Sequence, residues 1–171
     1  MTKEILNYTI FNCTAGWIGV LSSARGLLRL TLPQPSAEQA KQLLGEDVNR
    51  ANHSPHLFTD LIERLRNYFA GSKTDFTDEL DLCQASDFQR KVWEATQRIP
   101  YSETRSYAWV AEQAGKPKAA RAVGQALARN PLPIIVPCHR VLTSNDKLGG
   151  FTGGLRMKEY LLSLEARGKA G

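Results

Sequence analysis

The sequence predicts an α/β (α+β) fold in two domains, with a small antiparallel sheet and helices in residues 1–85 and a mostly helical module in residues 86–171. Three observations favour this division. Short β-like stretches separated by glycine turns open the chain, an acidic and turn-prone segment covers residues 72–85, and helical periodicity dominates the second half. We therefore expect the domain boundary near residue 85.

The first domain is predicted to begin with an antiparallel meander. Its β-like stretches lie at about residues 5–11, 17–22 and 27–32. A weak helix is expected at about 36–44. A stronger one should start with Ser54 as its N-cap and Pro55 in its first turn, and should run to Gly71 with an apolar stripe on one face. That stripe predicts a helix packed on the sheet.

The second domain carries clearer helix signals. Ser86 and Gln89 have the spacing of a capping box, and Pro100 ends the helix that begins there. Two shorter helices at about 106–114 and 118–129, joined by a Gly-Lys-Pro turn, have the layout of a helix-turn-helix. A last helix is predicted at about 155–167.

Charge separates the two halves. Residues 1–85 hold 8 Lys and Arg against 10 Asp and Glu, whereas residues 86–171 hold 14 against 7. A basic module of this kind is typical of a protein that binds a polyanion such as nucleic acid, although a solvated basic surface would look the same.

The outer face of the predicted 118–129 helix has few long side chains. It presents Arg121, Gly124, Gln125 and Ala128, whereas a helix that reads bases in the major groove carries several long hydrogen-bonding side chains. Small residues permit close approach of the backbone, which favours the minor groove. Packing against a neighbouring helix is the alternative.

The cysteines exclude some classes of protein. Cys13, Cys83 and Cys138 are odd in number and far apart, which argues against a disulfide framework and against a zinc site of the CxxC type. No apolar run approaches the length of a membrane span, and the first residues lack a long apolar core. We expect a cytoplasmic protein with no metal, no cofactor and no membrane partner.

The segment Pro137-Cys138-His139-Arg140 carries the most chemistry. A free thiol is mostly protonated at neutral pH and needs a base or a positive environment to become a nucleophile, and His139 and Arg140 are candidates. A buried, inert cysteine is the alternative. In an extended chain the side chains of Cys138 and His139 would point to opposite faces, so the imidazole would act on the thiol through a water. Glu165 falls beside apolar residues on the last helix and is the candidate to orient the imidazole, although its position in the helical pattern equally fits a solvent-facing glutamate. Asn130 could tie the proline-rich approach to the preceding helix.

These motifs together resemble the O6-alkylguanine-DNA alkyltransferases, which reverse guanine alkylation directly. The resemblance covers most of residues 86–165 and only loosely the first domain. It implies a ribonuclease-H-like first domain and a winged-helix-like second one. It is carried by Ile99-Pro100-Tyr101, Ser106-Tyr107, Ala119 to Gly124, Asn130-Pro131, Val136 to Val141, Gly153-Gly154, and Lys158-Glu159 through Glu165.

The resemblance implies a role for each matched residue. Cys138 would accept the alkyl group irreversibly, His139 would deprotonate it through a water, and Glu165 would hold His139. Tyr107 would assist nucleotide rotation and donate to guanine N3, Arg121 would fill the vacated stack, and Asn130 would brace the turn. Further DNA contacts would come from Ala119, Ala120, Ala122, Gly124, Gln125, Ala128 and Arg129. The pocket would include Pro133, Val136, Gly150, Phe151, Thr152, Gly153 and Lys158.

Two positions depart from the commonest family pattern. Gln125 replaces a frequent Gly or Ala, and Phe151 stands where many members have Tyr. The implied partner is duplex DNA that carries O6-alkylguanine, approached from the minor groove by a monomer. Transfer from O4-alkylthymine stays open. The competing interpretations are a non-catalytic helix-turn-helix protein and a Cys-His hydrolase that turns over esters or amides.

Overall fold

The computed structural model describes residues 3–170. The chain folds as two compact units, Met1–Leu82 and Cys83–Gly171. Sequence alone placed the boundary near residue 85; in the structure the division falls between Leu82 and Cys83. No helix among residues 3–170 is both long enough and apolar enough to cross a membrane.

The first unit contains, within residues 3–82, a four-stranded sheet in the order β3-β2-β1-β4. Strands β1 (Asn7–Cys13), β2 (Gly16–Ser23) and β3 (Gly26–Leu30) form the predicted antiparallel meander. The fourth strand, β4 (Asn52–His53), was not predicted; it pairs parallel to β1 over two residues and adds a parallel edge to the antiparallel meander. The reason is the connection through α1 (Ala37–Leu43) and a 3₁₀ helix (Glu46–Arg50), which returns the chain in the same direction.

The second helix of this unit starts later than predicted. Pro55–Phe58 forms a 3₁₀ helix, and α2 runs over Thr59–Phe69. Ser54 occupies the N-cap of the 3₁₀ helix but makes no capping bond with its side chain; its hydroxyl donates to the side chain of Asn7 at 2.9 Å. The predicted apolar stripe is buried on α2 through Leu61, Leu65, Tyr68 and Phe69, but Leu57, which lies in the 3₁₀ helix, is 58% exposed.

The second unit is mostly helical. It contains α3 (Asp87–Gln97), α4 (Tyr107–Gln113), α5 (Ala120–Ala128) and α6 (Leu155–Ala170), with a short parallel pairing of β5 (Arg105–Ser106) and β6 (Val141–Leu142). The capping box of Ser86 and Gln89 at the start of α3 is confirmed. Ser106 caps α4 by accepting from the backbone N–H of Trp109, and the helix-turn-helix layout of α4 and α5 is present.

The core of this unit lies between the helices and the segment that carries the cysteine. Trp93 of α3 donates its indole N–H to the carbonyl of Ala126 at 3.0 Å and thereby joins α3 to α5. Residues 131–137 are irregular, and most of them are buried. Prolines on this stretch remove backbone donors, so the segment cannot be a central strand. It crosses the unit as a buried connection from α5 to the cysteine.

Candidate active site

The cysteine segment does not have the extended backbone expected from the sequence. Cys138–Arg140 forms one turn of 3₁₀ helix that begins after Pro137. The difference matters because side chains in an extended chain alternate between two faces, whereas one helical turn can direct neighbouring side chains into the same unit core. Cys138 and His139 are both buried, at 6% and 1% exposure.

Asn130 holds this segment in position. Its Nδ2 donates to the carbonyl of Val136 at 2.9 Å, and its Oδ1 accepts from the backbone N–H of Leu132 at 2.9 Å. Both bonds are buried. Ile134, between these contacts, has a φ of +76°, a conformation that costs energy for a β-branched residue and persists only under such constraints. Asn130 therefore braces the approach to Cys138.

His139 and Glu165 are in direct contact. The Nε2 atom of His139 lies 2.5 Å from Oε2 of Glu165, and both side chains are 1% exposed. This confirms the proximity that the sequence suggested. Because Nε2 faces the carboxylate, Nδ1 is the ring nitrogen through which the imidazole can act on the thiol.

Arg140 also contacts Glu165, which the sequence did not indicate. Its Nε donates to Oε1 at 2.8 Å and its Nη2 donates to Oε2 at 3.0 Å, while Nη1 donates to the carbonyl of Ile99 at 2.8 Å. The backbone N–H of Ser102 donates to Oε1 of Glu165 at 3.1 Å, from a residue with φ of +65°. The guanidinium of Arg140 therefore binds the carboxylate of Glu165, whereas the sequence had made it a candidate to activate the thiol.

The local electrostatics define the resting protonation states. Burial raises the pKa of the Cys138 thiol, although a hydrogen bond from Asn130 and the charge of Lys158 partly oppose this. Burial lowers the pKa of His139, against the opposing effect of Glu165. The resting site therefore holds a thiol and a neutral imidazole.

Burial alone would raise the pKa of Glu165. The hydrogen bond from His139, together with the hydrogen bonds and the positive charge of Arg140, lowers the pKa overall. Glu165 is consequently an ionised carboxylate in the resting site.

Lys158 lies behind the loop after β6 and not on the wall of the pocket. Its ammonium donates to the carbonyls of Val141 at 2.7 Å, of Gly150 at 3.2 Å, and of Leu148. Its side chain is fully buried, and burial lowers its pKa to about 8. The side chain therefore fastens the 148–150 loop to the core, and its charge supports a thiolate at Cys138.

A cavity of about 420 Å³ opens beside the cysteine, a volume suited to one small organic group. Its wall includes Tyr107 of α4, four residues of α5 and the loop 149–152, together with Cys138. The α5 residues are Ala120, Gly124, Leu127 and Ala128. The hydroxyl of Tyr107 donates to the carbonyl of Gly150 at 3.5 Å across this space. Thr152 donates to the carbonyl of Ala128 at 3.0 Å and so joins the loop to α5.

Comparison with known proteins gives a consistent result over both units. Residues 6–82 match the family model "6-O-methylguanine DNA methyltransferase, ribonuclease-like domain", and residues 87–167 match the model of the DNA binding domain of the same family. A constitutive methylated-DNA–protein-cysteine methyltransferase of Bacillus subtilis is 41% identical over 162 residues, which cover 92% of this chain and 94% of that one. The chain belongs to the 6-O-methylguanine DNA methyltransferase family.

Other relatives of this family agree. A methylated-DNA–protein-cysteine methyltransferase of Mycolicibacterium paratuberculosis is 55% identical over 114 residues, covering 67% of this chain and 68% of that one. The crystal structure of Mycobacterium tuberculosis OGT in complex with DNA superposes with a TM-score of 0.79 at 40% identity, covering 94% of both chains. The likeness supports the α/β fold with a sheet in the first unit and helices in the second.

The predicted pocket residues of this family member divide into two groups. Gly150, Phe151 and Thr152 lie on the cavity wall, as expected. Among the described residues, Pro133, Val136, Gly153 and Lys158 are not part of that wall. Val136 is buried because residues 132–136 fold back on themselves, with its N–H bonded to the carbonyl of Leu132 at 2.8 Å.

The predicted DNA-facing residues of α5 are distributed as its periodicity indicates. Arg121, Gln125, Ala128 and Arg129 are exposed, whereas Ala119, Ala120, Ala122 and Gly124 are partly buried. Val123, Ala126 and Leu127 pack into the core on the opposite face. Because the exposed face borders the cavity at Gly124 and Ala128, the surface and the cysteine are reached from the same side.

Sequence reasoning missed the Arg140 and Ser102 contacts to Glu165. One signal was present: Arg140 lies between His139 and the apolar Val141, directly after the apolar run 134–136, and a guanidinium that is buried there requires a carboxylate or carbonyl partner. Ser102 gave no signal, because its backbone conformation is set by the fold.

Proposed function

We propose that this protein repairs DNA by transferring an alkyl group from O6-alkylguanine in duplex DNA to Cys138, in a single irreversible reaction. The observation that carries the proposal is the position of Cys138 on a cavity wall next to α5, with the buried His139–Glu165 pair behind it. The named relatives, which are methyltransferases of methylated DNA, support the same reaction.

DNA binding rests on the second unit. Its residues carry the excess of positive charge, and Arg121 on α5 and Arg129 directly after α5 are exposed beside short side chains. We assign α5 to the minor groove, because Gly and Ala allow the backbone to approach closely while long base-reading side chains are few. A monomer suffices, since every group proposed to react comes from the same unit.

The lesion must leave the base stack to reach the thiol. A nucleotide within a duplex hides its O6-alkyl group from a nucleophile, so flipping it into the cavity is required, at a cost of about a few kcal/mol that damage reduces. Arg121 is exposed on the same helix that borders the cavity, and it is suited to occupy the vacated space. The cavity has room for the alkylated edge of one base.

The proposed transfer needs one proton acceptor, one nucleophile and one donor to the leaving guanine, and the site supplies all three. The Cys138 S–H bond breaks as its proton passes to Nδ1 of His139, through a water as the resemblance implies. The thiolate then forms an S–C bond with the alkyl carbon as the C–O6 bond breaks. Charge develops on guanine, and the phenol of Tyr107 donates to it. Burial raises the pKa of Tyr107, so the hydroxyl remains a donor at neutral pH.

The product is a thioether. Water does not hydrolyse it and no second nucleophile attacks it, so one protein removes one alkyl group. A hydrolase of the Cys-His type would instead release its acyl group and turn over repeatedly.

The test uses duplex DNA with labelled O6-methylguanine and a comparison with Cys138→Ser. We expect one label per protein on Cys138, detected as a mass gain of one CH₂ increment, and no transfer to Cys138→Ser with DNA affinity retained. Binding of methylated duplex without any adduct would identify a non-catalytic DNA-binding protein. Repeated turnover of an ester probe without methyl transfer would identify a hydrolase.

A further inference from the structure

Several donors of the described residues surround the carboxylate of Glu165. Arg140 supplies Nε and Nη2, Ser102 supplies its backbone N–H, and His139 lies against Oε2 at 2.5 Å. Each carboxylate oxygen thus has at least two polar neighbours. The Arg140 and Glu165 side chains are 8% and 1% exposed, so water contributes little to the charge balance.

Arg140 is itself held in a fixed orientation. Its Nη1 donates to the carbonyl of Ile99, and its guanidinium lies 5.8 Å from the ring centroid of Tyr101. A planar fork anchored in this way presents two parallel donors to a carboxylate, which a lysine cannot do. The pair is therefore preorganised and does not form in response to substrate.

The protonation state of Glu165 determines which ring nitrogen of His139 can accept a proton, because Nε2 lies against the carboxyl group. An ionised Glu165 only accepts hydrogen bonds, so His139 must donate from Nε2, and Nδ1 is left as the basic nitrogen. A protonated Glu165 would donate to Nε2 instead. The neutral imidazole would then carry its proton on Nδ1 and could not accept one from Cys138.

We propose that Arg140 is a positioning residue for alkyl transfer: it keeps Glu165 ionised and thereby sets the Nε2–H tautomer that makes His139 a base toward Cys138. This inference rests on the proposed function. Isolated in the core, Glu165 would favour its protonated form, because burial disfavours the carboxylate. Arg140 supplies the compensating charge.

The other titratable groups near this pair, Tyr101 and Lys158, do not replace Arg140 in keeping Glu165 ionised. Tyr101 faces Glu165 as a neutral phenol, and burial raises its pKa. Lys158 influences His139 as a second positive charge, but its ammonium is bonded to backbone carbonyls. Arg140, in contrast, is a cation in direct hydrogen-bond contact with the carboxylate.

The experiment measures the tautomer directly, without substrate. The two exposed histidines are changed in a His53→Gln/His56→Gln background, so that the ¹⁵N spectrum reports His139. We expect the Nε2–H tautomer at neutral pH, and a Glu165 carboxyl ¹³C signal that stays ionised well below the ordinary pKa of glutamate. An Nδ1–H tautomer, or a Glu165 that titrates at or above the ordinary value, would overturn the proposal even if no variant folds.

Variants then separate charge from packing. Arg140→Met should shift His139 toward the Nδ1–H tautomer and slow single-turnover transfer by about 100-fold or more, within the range that general base catalysis contributes. Arg140→Lys should retain the tautomer and part of the rate. Arg156→Met, an exposed change on α6, is the matched control and should alter neither. A folded Arg140→Met protein with the wild-type tautomer and pH profile would refute the role.

The two proposals fail in different ways. If the wild-type protein transfers no alkyl group to Cys138, the proposed function fails whatever the tautomer. If it transfers normally while His139 carries its proton on Nδ1, the repair function stands and the role of Arg140 is wrong.

Discussion

Asn130 links the end of α5 to the cysteine segment by donating its amide to the carbonyl of Val136 at 2.9 Å, two residues before Cys138. The same side chain accepts from the N–H of Leu132. One amide therefore satisfies a buried donor and a buried acceptor on either side of a strained residue, Ile134. The helix proposed to contact DNA and the proposed nucleophile are thus mechanically joined.

Replacing Asn130 should weaken both stability and reactivity. We expect Asn130→Ala to lower the free energy of unfolding by about 1–3 kcal/mol, because it leaves the buried N–H of Leu132 without its partner and removes one of the donors to the carbonyl of Val136. Urea unfolding measures this change, and single-turnover kinetics measure the accompanying loss of rate. Asn49→Ala, at an exposed position of a 3₁₀ turn, is the control and should be nearly neutral. A neutral Asn130→Ala would show that the segment does not depend on this amide.

Gly149 should tolerate no side chain. Its φ is +66°, and an added Cβ would lie 2.8 Å from the hydroxyl oxygen of Tyr107 and 3.0 Å from its ring. Gly149→Ala should therefore displace Tyr107 and slow alkyl transfer by roughly 10-fold or more, since misplaced reacting groups cost rate steeply. Gly150→Ala adds the same methyl where no atom lies within 4 Å, and it should cost much less. Equal rates for the two variants would argue against steric control of Tyr107.

Glu165 should contribute to the pH dependence of stability. Its pKa is lowered in the folded protein, so the unfolded chain binds more protons once the pH falls toward the ordinary glutamate value. The stabilisation is complete above that value and is lost as the pH falls through the folded pKa. The difference in free energy of unfolding between the wild type and Glu165→Gln should therefore shrink between pH 5 and pH 3, as measured by denaturant titration. A constant difference would mean that the carboxylate is not stabilised by folding.

Arg121 should matter for duplex DNA more than for the free base. It is exposed on α5, and its proposed role is to occupy the space left by the flipped nucleotide. Arg121→Ala should slow transfer from O6-methylguanine in a duplex by about 10-fold, equivalent to ~1.4 kcal/mol, and leave transfer from the free base nearly unchanged. Arg98→Ala, an exposed arginine at the end of α3, controls for loss of charge. If the rate of transfer from the free base decreased by the same factor, Arg121 would be acting in the pocket.

Local features of the sequence were sufficient for much of the fold. The capping box at Ser86, the meander of β1 to β3 and the buried face of α5 follow from spacing, caps and turns, which depend on residues close together in the chain. The motifs around Cys138 were likewise specific enough to indicate the family. The roles of the individual side chains remain predictions.

The tertiary structure decided the environment of those motifs. Glu165 contacts Arg140, which is 25 residues away in the sequence, and Ser102, which is 63 residues away. Periodic patterns report only on residues that are close together in the chain, so they do not predict either contact. The 3₁₀ turn at Cys138 and the withdrawal of Lys158 behind its loop also depend on packing from several elements. The sequence by itself determined which groups could react and which elements carry them. Only the fold decided their partners, because burial and long-range contacts set the charge and the orientation of each group.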